Sequence, residues 1–331
     1  MEGQMRTDIV YAMTDDGEKL AVIDVTNPAF AVSATDEELA AMSEQYILEA
    51  GRQQEIPAAL REALRSSKLG RGLMAASGTF LDGMTTYQLK LGPENLGEGF
   101  NPIDQRIAAS FPAFTARLRL QDMARLMADG LAAAATTEPR RHICLVNVGG
   151  GPGADSWNAL ILLSRGNAGL LDDREIVLAI LDPDQRGPAF GALALGALCA
   201  ADAPLSRLKI ELLHFGYEWS SADRLRKVLH ELRAADSVCG ISSEGALFEY
   251  GSDEEIVSNL QALHAGTAAD SIVVGSVTRD GKPVRASLIG NRVPTRPRTI
   301  EAFRVLAEQG GWIVQEVLER PFSYNVRLVK A

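Results

Sequence analysis

Apolar and polar positions follow two different rhythms along this chain, and the change falls near residues 136–141, where an alanine-rich run gives way to Thr-Thr-Glu-Pro-Arg-Arg. Before it, residues 8–13 and 19–25 are short β-prone runs joined by Thr14-Asp15-Asp16-Gly17, whose Asp-Gly step supplies the positive φ of a tight hairpin. Thr35 and Glu38 stand at capping-box spacing and predict a helix running to about Ala50. Further helices are predicted over 56–68, over 73–90 despite its glycines, and over 112–134, where Leu120, Met123, Met127 and Leu131 share one face. The glycine-rich connection 92–99 reads as an exposed loop of the kind that serves as a lid.

After the change, apolar runs of strand length alternate with longer amphipathic ones. The runs are 142–148, 175–181, 208–214, 237–241 and 271–277, each pair spaced for one crossover helix, which predicts a parallel sheet covered on both faces. Runs 312–318 and 323–329 are separated only by Glu319-Arg320-Pro321-Phe322, too short for a crossover, so the sheet must finish in an antiparallel hairpin. The expected division is a mainly helical part, residues 1–140, and an α/β domain, residues 141–331.

The first strand runs straight into Gly149-Gly150-Gly151-Pro152-Gly153 and then into a helix. Residues without side chains let the backbone approach a ligand closely, and a helix start presents unpaired N–H groups to it, so this turn is a candidate nucleotide cradle. Gly149-x-Gly151-x-x-Ala154 also satisfies a dinucleotide fingerprint. That fingerprint wants a carboxylate at the end of the second strand. Asp172 and Asp173 precede that strand, whereas Asp182, followed by Pro183, ends it, where crevices of open α/β sheets occur.

The Gly-x-Gly-x-Gly turn with proline before its last glycine, the acidic residue ending the second strand and the terminal antiparallel hairpin together resemble the class I S-adenosylmethionine-dependent methyltransferases over residues 140–331. The resemblance implies a Rossmann-like sheet of seven strands in the order 3-2-1-4-5-7-6, with only the last antiparallel. It implies S-adenosylmethionine as cofactor, S-adenosylhomocysteine as product, the glycine turn against the methionine portion and Asp182 on the ribose hydroxyls. Adenine is expected near Phe215, Gly216 and Tyr217 and near Ser242 and Ser243. Asn147 stands where the family usually has Asp or Glu, two positions before the first glycine, and is expected to accept a hydrogen bond from the cofactor.

Methyl transfer from a sulfonium needs alignment of the acceptor and, for some acceptors, removal of its proton. Glu244, after the fourth strand, is the candidate base or substrate anchor. The small, hydroxyl-rich stretch from Ser77 to Gln88 is expected to face the cofactor, with Tyr87 as a catalytic candidate and Asp82 as a substrate contact. Arg279 and the cluster Arg292, Arg296 and Arg298 form a local basic concentration that suits an anionic group on a substrate; Arg279 and Arg292 are the chosen contacts. His142, His214, His230 and His264 lack metal-ligand spacing, and no metal is expected.

Composition narrows the partners. The 331 residues are 46% apolar and 23% charged, which fits a folded chain, and the net charge of −10 disfavours nucleic acid. Scattered Cys144, Cys199 and Cys239 suit a reducing compartment, and no stretch reads as a membrane span or secretion signal, so a cytoplasmic location is expected. The reading is a methyltransferase acting on an oxygen or nitrogen of a small metabolite, its N-terminal helices capping the acceptor pocket or making a homodimer. The alternatives are an NAD(P)-dependent oxidoreductase, favoured by the Gly-x-Gly-x-x-Ala match, and a non-catalytic cofactor-binding or scaffold protein of the same fold.

Overall fold

The computed structural model describes residues 8–52, 58–76, 79–137, 142–167, 169–287 and 294–331. The chain opens with the antiparallel hairpin β1 (Tyr11–Met13) and β2 (Lys19–Ala21). Helix α1 (Asp36–Arg52) follows, and the Thr35 hydroxyl and Glu38 carboxylate close the expected capping box at its start. Next come α2 (Ala58–Ser66), α3 (Lys68–Ala75) and α4 (Gly83–Lys90), so the helix expected over 73–90 is two helices. The Asp82 carboxylate accepts from the Thr85 amide at 2.9 Å and starts α4 afresh. Two more helices, α5 (Pro102–Ala108) and α6 (Phe111–Thr137), complete this part.

The loop over 92–99 is less exposed than expected. It contains a short 3-10 turn, Pro93–Asn95, and Asn95 is buried, donating to the carbonyls of Ala29 and Leu91 at 2.9 Å each. It lines neither of the two cavities described below.

From residue 143 strands and helices alternate: β3 (Ile143–Val148), α7 (Ala154–Gly166), β4 (Glu175–Leu181), α8 (Arg186–Leu198), β5 (Lys209–Phe215), α9 (Ala222–Glu231), β6 (Val238–Ser243), α10 (Leu247–Tyr250), α11 (Asp253–Gly266) and β7 (Ile272–Thr278). Helices α12 (Lys282–Ser287) and α13 (Ile300–Gln309) then lead to the hairpin β8 (Trp312–Glu319) and β9 (Ser323–Lys330). The sheet runs β5-β4-β3-β6-β7-β9-β8, with the first five strands parallel and β9 antiparallel to both neighbours. Counted within the sheet, that is the expected order 3-2-1-4-5-7-6. Every residue of β3, β6 and β7 is buried, as parallel strands sandwiched between helix layers require.

Side chains alternate across the sheet and divide the core into two layers. Ile143 and Leu145 join α6, α7 and α8 on one face, while Cys144, Val146 and Val148 join α9, α11 and α13 on the other. Leu131 of α6 packs on Gly240 of β6, and Gly130 leaves room for Ile272 of β7. One apolar cluster therefore runs from Leu20 and Ile23 through α6 into the sheet. The chain around Ile23 is tied to the sheet domain by side chains: Trp157 Nε1 and Asn158 Nδ2 donate to the Ile23 carbonyl at 2.9 and 3.0 Å, and Asn158 Oδ1 accepts from the Val25 amide at 2.8 Å.

Candidate functional site

The glycine turn after β3 and the loop after β4 border a cavity of about 240 Å³ at the carboxyl edge of the sheet. Gly149, Gly150, Gly151 and Pro152 line it, with Asp182, Pro183 and Asp184 beside them. The segment from Thr79 through α4 lines it as well, so the stretch expected to face a cofactor does border this crevice; its first two residues, Ser77 and Gly78, lie outside the described residues.

The turn needs its glycines for its own packing. Gly149, Gly151 and Gly153 have φ of 66°, 51° and 78°, which side-chain-bearing residues rarely adopt. A Cβ on Gly151 would stand 2.8 Å from Gly83 Cα, and one on Gly187 would stand 2.9 Å from Gly151, so the starts of α4 and α8 both lean on this residue. Gly153 enters α7 with the Ile180 and Leu178 side chains behind it and does not line the cavity. Polypeptide contacts thus account for the glycines, and the groups free to meet a ligand are the cavity-lining backbone and carboxylates.

Asp182 holds the turn in shape. Its carboxylate is buried and accepts from the Gly151 amide and the Asp184 amide, each at 2.9 Å. Burial pushes its pKa up, against the pull of those two N–H groups. Asp184 accepts from the Arg186 amide at 3.2 Å through one oxygen, while its Oδ2 is buried without a partner among the described residues.

Asn147 does not line the cavity, and its Oδ1, the expected acceptor, is buried without a partner among the described residues. Its amide points beneath the turn, donating to Asp155 at 2.6 Å and to Ser156 at 2.8 Å, and its Oδ1 lies behind Gly150. Ser242 donates its hydroxyl to the same Asp155 carboxylate, and buried Ser243 does not line the cavity. Asp155 is raised above the usual carboxylate range, chiefly by burial and secondarily by Glu244. Residues 147, 155, 156 and 242 form a polar support under the turn, which the sequence did not single out at Asp155. Phe215, Gly216 and Tyr217 also stand away from the cavity, and the Tyr217 hydroxyl is engaged with Asn259. Trp219, two residues further on, does line the cavity, with the Phe80 ring 5.1 Å from its own.

A second cavity, of about 360 Å³, adjoins the first, and Leu81, Thr86, Gly245 and Tyr250 line both. Its other walls are largely apolar, from Tyr46, Leu73, Leu89, Ile107 and Phe322. Its polar corner holds Arg119, Glu249, Ser276, Thr278 and Thr295.

Glu244 lines the first cavity as an ion-paired group. It meets the Lys90 ammonium of α4 and Arg119 Nε of α6, the latter at 2.7 Å. Burial opposes its ionisation, but the two cations outweigh burial and hold it below the usual carboxylate range. A general base works best with a pKa near the operating pH, so this carboxylate is a structural tie between the N-terminal helices and the sheet. Tyr87 is also corrected: its hydroxyl donates to the Ala21 carbonyl at 2.7 Å and accepts from the Ile23 amide at 3.0 Å, so only its ring faces the cavity. Asp82 sits at the cavity but caps α4 and pairs with Arg186 at 3.4 Å. Arg279 pairs with Glu319 at 2.5 Å and lines neither cavity. Arg298 is buried against Asp253 and the Phe248 and Gly251 carbonyls, and Arg292 lies outside the described residues.

Sequence reasoning missed Lys90, Arg119, Trp219 and Glu249. A cation inside the apolar run of α6 was the available signal for Arg119, because a charge there needs a buried partner. Among the described residues no three His, Cys, Asp or Glu side chains are placed to hold a metal ion, and no helix is long and apolar enough to cross a membrane.

No family model matches the chain, and no curated protein matches it. Its fold is similar to that of a possible exported protein from Bordetella parapertussis, with a TM-score of 0.55 and 16% identity over 90% of this chain and 97% of that one. It also aligns with the mitomycin 7-O-methyltransferase MmcR, at TM-score 0.41 and 15% identity over 88% of this chain and 68% of that one. The pyocyanin biosynthetic protein PhzM aligns at TM-score 0.42 and 16% identity over 90% of this chain and 74% of that one. At such identities the likeness is one of fold.

Proposed function

We propose that this protein is an S-adenosylmethionine-dependent methyltransferase that alkylates an oxygen or nitrogen of a small molecule. The observation that carries this reading is the pair of adjoining cavities at the carboxyl edge of a 3-2-1-4-5-7-6 sheet, one bordered by the glycine turn with Asp182 and Asp184, the other walled by the N-terminal helices. Together they fall in the range of roughly 300–1,000 Å³ that small-molecule sites occupy. Such crevices at the strand ends are where open α/β sheets bind ligands.

The residues present fit the cofactor. A ribose offers two hydroxyl donors, and Asp184 Oδ2 is a buried acceptor that lacks one. Asp182 beside it retains acceptor capacity beyond its two backbone bonds. Trp219 supplies a flat apolar face for the adenine, and the glycine turn lets the methionine portion approach the backbone. Bound there, S-adenosylmethionine supplies an electrophilic methyl group. The chain's own work is to orient the acceptor in the second cavity and to keep water from the junction, which Leu81 and Tyr250 border. The N-terminal helices act as the cap of the acceptor cavity, since Tyr46 of α1 and Leu89 of α4 line it. A cytoplasmic setting suits the three free cysteines.

Calorimetric titration of the purified protein with S-adenosylhomocysteine, beside NADH as a control, tests the reading. Saturable binding of S-adenosylhomocysteine in the micromolar range with no response to NADH is the expected result. Binding of NADH without S-adenosylhomocysteine overturns it in favour of an oxidoreductase.

A further inference from the structure

We propose that Glu249 is the proton acceptor for an aromatic molecule bearing a hydroxyl or amine, seated in the second cavity with that group turned toward Gly245. The inference rests on the methyltransferase reading above. Gly245 borders both cavities with φ of +69°, and a Cβ built there would stand 2.8 Å from Arg119 Nη2 and 3.3 Å from Glu249 Oε2. The carboxylate therefore sits beside the passage between the cavities, where a methyl donor in one would face an acceptor in the other. The Glu249 side chain keeps 16% of its surface accessible and lines the second cavity alone.

The charges around it leave Glu249 available. Arg119 gives its Nε to Glu244 at 2.7 Å and reaches Glu249 only through Nη1 at 3.4 Å. Lys90 is likewise engaged with Glu244. Burial, with Glu244 adding to it, lifts Glu249 above the usual carboxylate range against the pull of Arg119 and Lys90, while the same two cations lower Glu244. Tyr250, the other titratable group beside it, is held protonated by burial. The backbone at Glu249 is fixed, its amide donating to Ala246 and its carbonyl accepting from Arg296 at 2.8 Å. The far walls, with Tyr46 and Phe322 rings 5.6 Å apart, suit a flat apolar body.

The step balances without a further reagent. As the acceptor oxygen or nitrogen bonds to the methyl carbon, the carbon–sulfur bond breaks and its electron pair goes to sulfur. The O–H or N–H bond breaks with its pair staying on the acceptor, and the proton passes to Glu249, which releases it to water afterwards.

The probe is 2-naphthol, a photoacid whose emission shifts when an adjacent base takes its proton. Emission is read with S-adenosylhomocysteine present, in the wild type, Glu249→Gln and Glu249→Asp, with calorimetry of S-adenosylhomocysteine on each. The expected result is naphtholate emission from the wild type, neutral emission from bound probe in Glu249→Gln, and partial return in Glu249→Asp. Naphtholate emission that persists in Glu249→Gln overturns the proposal, as does a wild type that binds S-adenosylhomocysteine but not 2-naphthol. Failure of S-adenosylhomocysteine to bind, with emission still dependent on Glu249, overturns the cofactor reading and leaves the proton acceptor in place.

Discussion

Tyr87 shows how one buried hydroxyl can be read two ways. In the sequence it is a polar aromatic in a stretch of small residues; in the fold it satisfies the buried carbonyl of Ala21, the last residue of β2, and the buried amide of Ile23 just beyond the hairpin. Tyr87→Phe is expected to lower unfolding stability by about 1–3 kcal/mol, because two buried backbone groups lose their partner, and to leave S-adenosylhomocysteine affinity unchanged. Chemical denaturation and calorimetry check the two halves. Asp155 gives a pH prediction. Its folded pKa is raised above the ordinary 3.8, so the folded state holds its proton more tightly than the unfolded chain does. The resulting penalty is absent at low pH and grows as pH climbs from 3.8 through the raised value. Asp155→Asn removes that charge, so its stability relative to the wild type is expected to increase with pH across this window, as thermal melts of both proteins at a series of pH values will read. At this scale the sequence was least legible. A polar side chain in an apolar segment announces a buried partner, but whether the partner is a ligand, a backbone group or another side chain depends on chain segments far away, as Asn147 and Ser242 also show.

Helices and strands were more legible, for physical reasons that differ between them. A strand covered on both faces is mostly apolar, and β3, β4 and β7 stood out as such runs. The start of α4 was hidden, because Gly83 is required by contact with Gly151, a residue of the distant glycine turn. Gly83→Ala puts a Cβ 2.6 Å from Gly151 Cα, where backbone meets backbone and neither yields cheaply. It is expected to weaken S-adenosylhomocysteine binding by about tenfold or more, a loss of ~1.4 kcal/mol, by moving α4 off the turn. Gly196→Ala on α8 is the matched control, since a Cβ there meets nothing within 4 Å. It is expected to raise stability by about 0.5–1 kcal/mol and leave binding unchanged. Titrations and melts of both variants separate contact from propensity.

For the whole molecule, the change of rhythm near residue 140 marks where the strands of the seven-stranded sheet begin, and the packing runs straight across it. α6 covers β6 and β7, the Ile23 carbonyl is held by α7, and Lys90 and Arg119 reach Glu244 across the site. The described chain is expected to unfold in a single endotherm by scanning calorimetry, and two resolved endotherms would mean that the helical part and the sheet are independent units. The closing antiparallel hairpin was legible because a four-residue link forces it, and the strand order followed from the resemblance carried by the glycine turn and Asp182, whereas the second cavity was not legible, since its walls come from α1, α4, α5, α6 and the strand ends together. If the two cavities divide the work of methyl transfer, diffraction from crystals grown with S-adenosylhomocysteine will show it in the pose of the ligand. The expected result is the ribose on Asp182 and Asp184 and the sulfur facing the second cavity beside Gly245. A ligand with its sulfur turned away from that junction, or bound elsewhere on the protein, would contradict it.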